Sequence, residues 1–138
     1  MATFKITISD KKGKSITREL KEKDANPFLG LQIGNELDAA IVGQAGKIRI
    51  TGGSDKSGVP FRQDIHGGVR KYILLSKGVG LRDAEKGQRF RKLIRGNTVT
   101  EDAYQINCVL DGELKIDETA PAAPTEEKKE KTDKPKKA

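Results

Sequence analysis

The residues best suited to chemistry in this sequence are arginines and lysines set among glycines. Four of them fall within seven positions: Arg89, Arg91, Lys92 and Arg95. An arginine guanidinium presents a planar fork of donors that matches the oxygens of a phosphate group. Segment 47–96 holds thirteen basic and four acidic residues, a net charge of +9, whereas the whole chain carries +7. This concentration of positive charge predicts a surface that binds nucleic-acid phosphates.

Three segments repeat the combination of glycine with Lys, Arg or Ser, at 50–61, 75–82 and 87–96. Glycine lets backbone N–H groups approach a phosphate closely, and consecutive N–H groups can form an anion-binding concavity. The simpler explanation is that these glycines serve tight β-turns, and it accounts for some of them. It does not explain why basic residues cluster beside them, so we predict that the three segments form one phosphate-binding surface.

Patterns that resemble catalytic motifs are incomplete. Gly13-Lys14-Ser15 lacks the glycine that a phosphate-binding P-loop has at position 8, and Gly78-Val79-Gly80 lacks the third glycine of a dinucleotide fingerprint. His66, the only histidine, has no nucleophile elbow in the chain to serve. One histidine and one cysteine, Cys108, are too few for the usual four-ligand zinc site. We therefore predict no metal site and no catalytic residues, and we expect Cys108 to be a small buried side chain.

Composition predicts a small core and a soluble protein. Hydrophobic residues make up 34% and aromatic residues 4% of the chain. No apolar run approaches the roughly 18–20 residues that span a bilayer, and the first residues contain no apolar segment of secretory-signal length. A single cysteine cannot form an internal disulfide. We expect a cytoplasmic protein that does not associate with membranes.

Alternating apolar residues predict a mainly β fold. Residues 3–9 and 14–20 alternate on either side of a turn and predict a β-hairpin. Further strands are expected at 47–51, 69–76, 88–95 and 104–110, with Ile6 and Leu74 as candidates for buried positions. Asn26-Pro27 predicts the cap and start of a short helix, and 36–42 is ambiguous between a helical turn and a strand. We predict a small β-barrel-like domain of short antiparallel strands with at most one or two short helices.

The composition changes near Thr119. From there the chain consists largely of Pro, Ala, Glu and Lys, with no aliphatic residue larger than Ala. Such a segment cannot bury enough apolar surface to become ordered. We expect a β-rich domain over 1–116 and a disordered charged tail over 117–138.

The three motif segments together resemble the small-subunit ribosomal protein six family of the archaeal and eukaryotic type. The resemblance rests on I-T-G-G-S-D-K-S-G-V-P-F at 50–61, L-L-S-K-G at 74–78 and G-Q-R-F-R-K-L-I-R-G at 87–96, and it spans most of residues 3–112. It implies a structural protein that binds ribosomal RNA beside neighbouring ribosomal proteins in the small subunit. It also implies no catalysis, no cofactor and no small-molecule substrate.

The same resemblance implies roles for individual residues. RNA contact is implied for seven basic residues: Lys56, Lys77, Arg82, Arg89, Arg91, Lys92 and Arg95. Shaping of the loops is implied for Gly52, Gly53, Asp55, Gly58, Pro60, Gly78 and Gly80. Eukaryotic members carry a long basic C-terminal helix with phosphorylated serines, but this chain has no serine after Ser76. It resembles the short archaeal form, and regulation by kinases does not carry over.

Two other classes of function stay open at this point. A free-standing RNA-binding translation factor on a similar small barrel would bind RNA transiently, so its stoichiometry in purified ribosomal subunits would distinguish it. A small basic enzyme acting on nucleic acid would need a carboxylate cluster that binds a divalent metal.

Overall fold

The strands follow the alternating segments of the sequence. The computed structural model describes residues 2–116. It contains the strands β1 (Thr3–Ser9), β2 (Ser15–Lys21), β3 (Glu36–Asp38), β4 (Lys47–Asp55), β5 (Arg70–Leu75), β6 (Phe90–Arg95) and β7 (Ala103–Asp111), and two short 3₁₀ helices, Asn26–Phe28 and Ala39–Val42. The prediction of a mainly β fold with at most two short helices is confirmed. The predicted tail, 117–138, lies outside the described residues.

The strands form two sheets rather than a closed barrel. Five strands lie in the order β2-β1-β7-β4-β3, and β5 and β6 form a separate antiparallel pair. Within the large sheet, β1 pairs with β7 in parallel, and the other pairs are antiparallel. The barrel-like description is therefore loose, and the expectation of only antiparallel strands is wrong for this one pair. A parallel pair needs a long crossover, and here the crossover contains all the other strands.

The core lies on one face of the large sheet. Every second residue of β1 is buried, namely Phe4, Ile6 and Ile8, and the same alternation buries Ile48 and Ile50 of β4. Phe28 and Val42 from the two short helices complete this cluster. Each such side chain contributes about 1.5–3 kcal/mol by leaving water, so this face carries most of the hydrophobic stabilisation.

Two local predictions differ from the structure. The strand expected to end at Thr51 continues to Asp55, because the register shifts after Ile50 and Gly52 and Gly53 then pair with β7. At Gly53 a Cβ atom would lie 2.1 Å from the backbone oxygen of Gln105, so this close pairing requires glycine. Asn26 does not cap the first helix: the cap position is Ala25, and no side-chain hydrogen bond is made there.

The hairpin β5–β6 has one buried face and one open face. Ile73, Leu75 and Ile94 point to a second, smaller cluster that includes Leu81 from the connecting loop. Strand alternation places Tyr72 and Leu74 on the opposite face, where they are 64% and 59% exposed. The candidate burial of Leu74 is therefore wrong, because a short apolar run does not reveal which of its faces is covered.

Cys108 of β7 is buried among the core residues, as predicted. Burial raises the pKa of its thiol to about 12, because the thiolate would lose its hydration. The reactive thiolate is therefore almost absent at neutral pH.

We predict that Cys108 does not react with Ellman's reagent in the folded protein. In denaturing urea the same thiol should react rapidly, since its pKa returns to that of an exposed cysteine. The two rates are measured by absorbance at one pH. Equal rates with and without urea would contradict the burial of this side chain.

Ile6 and Leu74 provide a matched test of the core. Ile6→Ala removes a buried side chain and should lower the free energy of unfolding by about 2–5 kcal/mol. Leu74→Ala removes an exposed one and should change it by no more than about 0.5 kcal/mol. Urea denaturation followed by circular dichroism measures both, and comparable losses would place Leu74 in a core.

Candidate nucleic-acid interface

A buried carboxylate joins the basic hairpin to the large sheet. Asp55 ends β4, and its side chain is fully buried. Its Oδ2 atom accepts hydrogen bonds from Arg95 Nη1 at 2.5 Å and from Arg70 Nε at 2.7 Å. Arg70 begins β5 and Arg95 ends β6, and the two are paired in register. One carboxylate therefore holds both strands of the hairpin at their common base.

Arg95 lies inside the protein, with 4% of its side chain exposed. Its guanidinium lies over the Phe61 ring, 6.0 Å from the centroid, and Nη2 donates to Thr100 Oγ1. Its backbone N–H donates to the oxygen of Pro60 at 3.0 Å. A buried guanidinium requires a carboxylate partner, and Asp55 is that partner. The resemblance implied RNA contact for Arg95. Because its guanidinium is buried and bonded to Asp55, we do not include it in the proposed RNA surface.

The pKa of Asp55 results from opposing effects. Burial tends to raise it, but hydrogen bonds from Arg70 and Arg95, together with their charges, lower it below the ordinary value of 3.8. The folded state therefore stabilises the ionised form of Asp55 relative to the protonated form.

The other six basic residues implied by the resemblance are exposed: Lys56, Lys77, Arg82, Arg89, Arg91 and Lys92. Five of them lie on β6 or on the loop that joins β5 to β6, while Lys56 lies in the turn after β4. None of the six forms an ion pair with another residue of 2–116.

Three basic residues of the large sheet and its turns are paired with acidic side chains. Lys11 pairs with Asp111 at 2.9 Å, and Lys12 and Arg49 pair with glutamates. Seven basic residues without an ion-pair partner in 2–116 lie within 71–92, on the hairpin and its loop: Lys71, Lys77, Arg82, Lys86, Arg89, Arg91 and Lys92. We call these exposed, unpaired basic residues of β5, β6 and their connecting loop the basic surface.

The sequence analysis did not single out three residues of this region. Lys71 on β5 and Lys86 in the loop are both exposed and belong to the basic surface. Tyr72, which follows Lys71 on β5, is also exposed. Lys71 and Tyr72 fall in the apolar stretch 69–76, which favoured a core assignment, and no alternation within it distinguishes the open face from the covered one.

Two adjoining concavities lie beside the basic surface. The larger has a volume of about 710 Å³ and is lined by Pro60 and by loop residues that include Lys77 and Arg82. The smaller, of about 330 Å³, is lined by Gly52 and Gly53 of β4 and shares Pro60, Val79 and Arg82 with the first. The cleft therefore joins the first and second motif segments along one continuous surface.

The glycines implied to shape loops lie in different settings. Gly52 and Gly53 are within β4, and Gly58 lies in the turn that follows it. Gly78 forms a tight turn with Leu81, each donating its N–H to the other's oxygen. Gly80 has a φ of +89°, and a Cβ there would lie 2.5 Å from Ile94 Cδ1, so the loop packs against β6 at this point.

Within the described residues, His, Cys, Asp and Glu side chains do not gather in a group of three or more that could hold a metal ion. No helix in residues 2–116 is long and apolar enough to cross a membrane.

The fold and its surface define a small β protein with a cluster of unpaired basic residues on one hairpin and its loop. The sequence model of the family described as Ribosomal protein S6e matches residues 4–120. The chain belongs to this family, which confirms the resemblance drawn from the three motif segments.

Individual relatives agree with the family match. Small ribosomal subunit protein eS6 of Nitrosopumilus maritimus is 66% identical over 137 residues, covering 99% of each chain. The protein of the same name from Methanocella arvoryzae is 43% identical, covering 94% of this chain and 92% of its own. That from Methanosphaerula palustris is 45% identical, covering 91% of this chain and 100% of its own. These relatives are archaeal, in agreement with the short archaeal form.

The buried carboxylate predicts a specific dependence of stability on pH. Asp55→Asn removes the charge that compensates Arg95 and should cost about 3–5 kcal/mol of unfolding free energy at neutral pH. Because the folded state lowers the pKa of Asp55, its contribution is complete above the unfolded value near 3.8 and is lost as the pH falls through the lower folded value.

Urea denaturation at a series of pH values measures this effect. The difference between the wild type and Asp55→Asn should be constant near neutral pH and should shrink below about pH 4. Asp102→Asn is the control, since its side chain is 69% exposed and lies 3.4 Å from Arg95. A difference that persists unchanged into acid would contradict the assigned role of Asp55.

Proposed function

We propose that this protein is a structural constituent of the small ribosomal subunit and binds ribosomal RNA through the basic surface. The observation that carries the proposal is the set of exposed cations that lack carboxylate partners within 2–116, on a hairpin held by buried Asp55. Membership of a ribosomal protein family implies a structural role rather than catalysis. The relatives named above are small ribosomal subunit proteins.

Charge is the physical basis of this binding. Strands β5 and β6 contain five basic residues and no acidic residue. Two of the five, Arg70 and Arg95, are held by Asp55, which leaves Lys71, Arg91 and Lys92 available for phosphates. Each phosphate that a cation neutralises releases condensed counterions, which is favourable and depends on salt concentration. Lys77, Arg82, Lys86 and Arg89 extend the same charge along the loop.

Side chains, rather than glycine N–H groups, are the proposed phosphate contacts. The N–H groups of Gly58 and Gly78 donate to the oxygens of Asp55 and Leu81 inside their own turns. They are therefore occupied, and the glycines act by shaping the backbone. Lys77 and Arg82 line the cleft and supply its positive charge.

The proposal includes the setting of the protein. Its partners are ribosomal RNA and neighbouring small-subunit proteins, and its location is the cytoplasmic ribosome. No membrane, cofactor or small-molecule substrate takes part in this function.

Co-sedimentation with small ribosomal subunits tests the role. The tagged chain, expressed in an archaeal host, should be recovered stoichiometrically in the small-subunit peak of a high-salt sucrose gradient. Recovery only at low salt, or in substoichiometric amount, would instead support the alternative of a free-standing RNA-binding translation factor.

Salt dependence of RNA binding tests the surface. The slope of log K against log salt is negative. Arg91→Ala and Lys92→Ala should each make it less steep by about 0.7–0.9, because each removes one phosphate contact. Filter binding to small-subunit RNA at several salt concentrations measures the slope. Lys11→Ala is the matched control, because Lys11 is exposed but paired with Asp111. Arg91 and Lys92 lie on opposite faces of the hairpin, so an unchanged slope in both variants would remove the hairpin from the RNA contact.

A further inference from the structure

The outer face of the hairpin β5–β6, opposite to Ile73 and Ile94, carries exposed apolar and aromatic side chains that a solvated surface does not require. Tyr72 is 64% exposed and Leu74 is 59% exposed on this face. Leu93 lies opposite Tyr72 in the register, and Arg91 lies opposite Leu74. The inner face packs against Leu81 and Ala84, so the hairpin already has its own core. The outer face is therefore not needed for the packing of residues 2–116.

Arg91 is held against the aromatic ring of Tyr72. Its guanidinium carbon lies over the ring, 5.9 Å from the centroid. This distance is within the range of a cation–π interaction. The contact places one positive charge beside an aromatic surface that is mostly open to solvent.

We propose that Tyr72 and Arg91 form a stacking platform for an unpaired base of single-stranded RNA, with Arg91 also contacting the adjoining phosphate. The inference rests on the proposed function and adds the kind of RNA element that this face recognises. Unstacked bases in loops and bulges stack on aromatic rings and guanidinium planes. The absence of acidic residues from β5 and β6 complements the negative backbone on either side of such a base.

RNA is favoured over a protein segment by the distribution of groups on this face. The apolar side chains on this face are few, namely Tyr72, Leu74 and Leu93, and Arg91 lies beside the ring, while Lys71 and Lys92 lie on the opposite face of the hairpin. A protein contact would need a larger apolar area and would accept any apolar side chain at Tyr72. A base requires an aromatic ring there, and this difference can be measured.

Tyr104 is an internal control. It is the only other tyrosine, and it is 47% exposed on β7. It lies beside a shallow concavity lined by residues of both charges, including Lys5 and Glu19. No cation lies over its ring among the described residues. Tyr104 thus has similar exposure without the features of the platform.

Fluorescence reports stacking at a single position. The chain has no tryptophan and two tyrosines, so Tyr104→Phe leaves Tyr72 as the only tyrosine fluorophore, and Tyr72→Phe leaves Tyr104. Titration with short single-stranded oligoadenylate should quench Tyr72 in the first variant and leave Tyr104 nearly unchanged in the second. Equal quenching in both variants, or none in either, would overturn the platform.

Affinity distinguishes a ring from a merely apolar side chain. Tyr72→Ala and Tyr72→Leu should each weaken oligoadenylate binding by about 5- to 150-fold, the range of base–aromatic stacking, whereas Tyr72→Phe should retain binding. The salt slope should stay unchanged in all three, because no charge is removed. Tyr104→Ala should bind like the wild type. Circular dichroism confirms that each variant is folded.

The outcomes separate the two proposals. If Tyr72→Ala binds like the wild type while Arg91→Ala and Lys92→Ala make the salt slope less steep, the platform is wrong and the RNA surface stands. If Tyr72→Leu binds as well as Tyr72→Phe, the contact is apolar and the platform is also wrong. If the wild type shows no salt-dependent binding to oligoadenylate or to small-subunit RNA, the proposed function itself fails.

Discussion

The carboxylate of Asp55 is the contact on which the position of the basic hairpin depends. The β5–β6 pair shares no strand pairing with the five-stranded sheet. Asp55 connects them by accepting hydrogen bonds from Arg70 and Arg95, at the two strand ends that meet at the base of the hairpin. Backbone hydrogen bonds from Arg95 to Pro60 and from Arg62 to Arg95 reinforce the same junction. Without this buried charge, two arginines would face each other there uncompensated.

This junction divides the arginines of the motif segments into two roles. Arg95 is buried and orients the hairpin, while Arg91 on the same strand is exposed and unpaired within the domain apart from its contact with Tyr72. Arg70 belongs with Arg95, although it was not among the residues implied to matter. A run such as R-F-R-K-L-I-R thus contains both the contact surface and the means of holding it. Rigid placement of exposed cations lowers the entropy lost on binding, which favours affinity without further contacts.

The sequence predicted most strands because alternation is a local property. The positions of β1, β2 and β7 follow directly from the spacing of residues such as Ile6, Ile8 and Cys108. Pairing partners are not local, so the parallel β1–β7 pair and the continuation of β4 past Thr51 were not foreseen. The same limit applies to the candidate site. Both Arg91 and Arg95 were expected to contact RNA, because their residue type is the same. Only Arg95 is buried, and its burial depends on where Asp55 lies in three dimensions.

The parallel pairing of β1 with β7 also determines the order in which the domain can form during synthesis. β7 lies between β1 and β4 at the centre of the large sheet, yet it is the last of the seven strands to be made. Until β7 has been translated, the β1–β2 hairpin and β4 have no shared neighbour. Ile6, Ile8 and Ile50 then lack the Ile106 and Cys108 side chains that lie beside them in the register. Contacts between residues this distant in the chain slow folding. The apolar face of the large sheet therefore stays incomplete until nearly all of the domain has been translated.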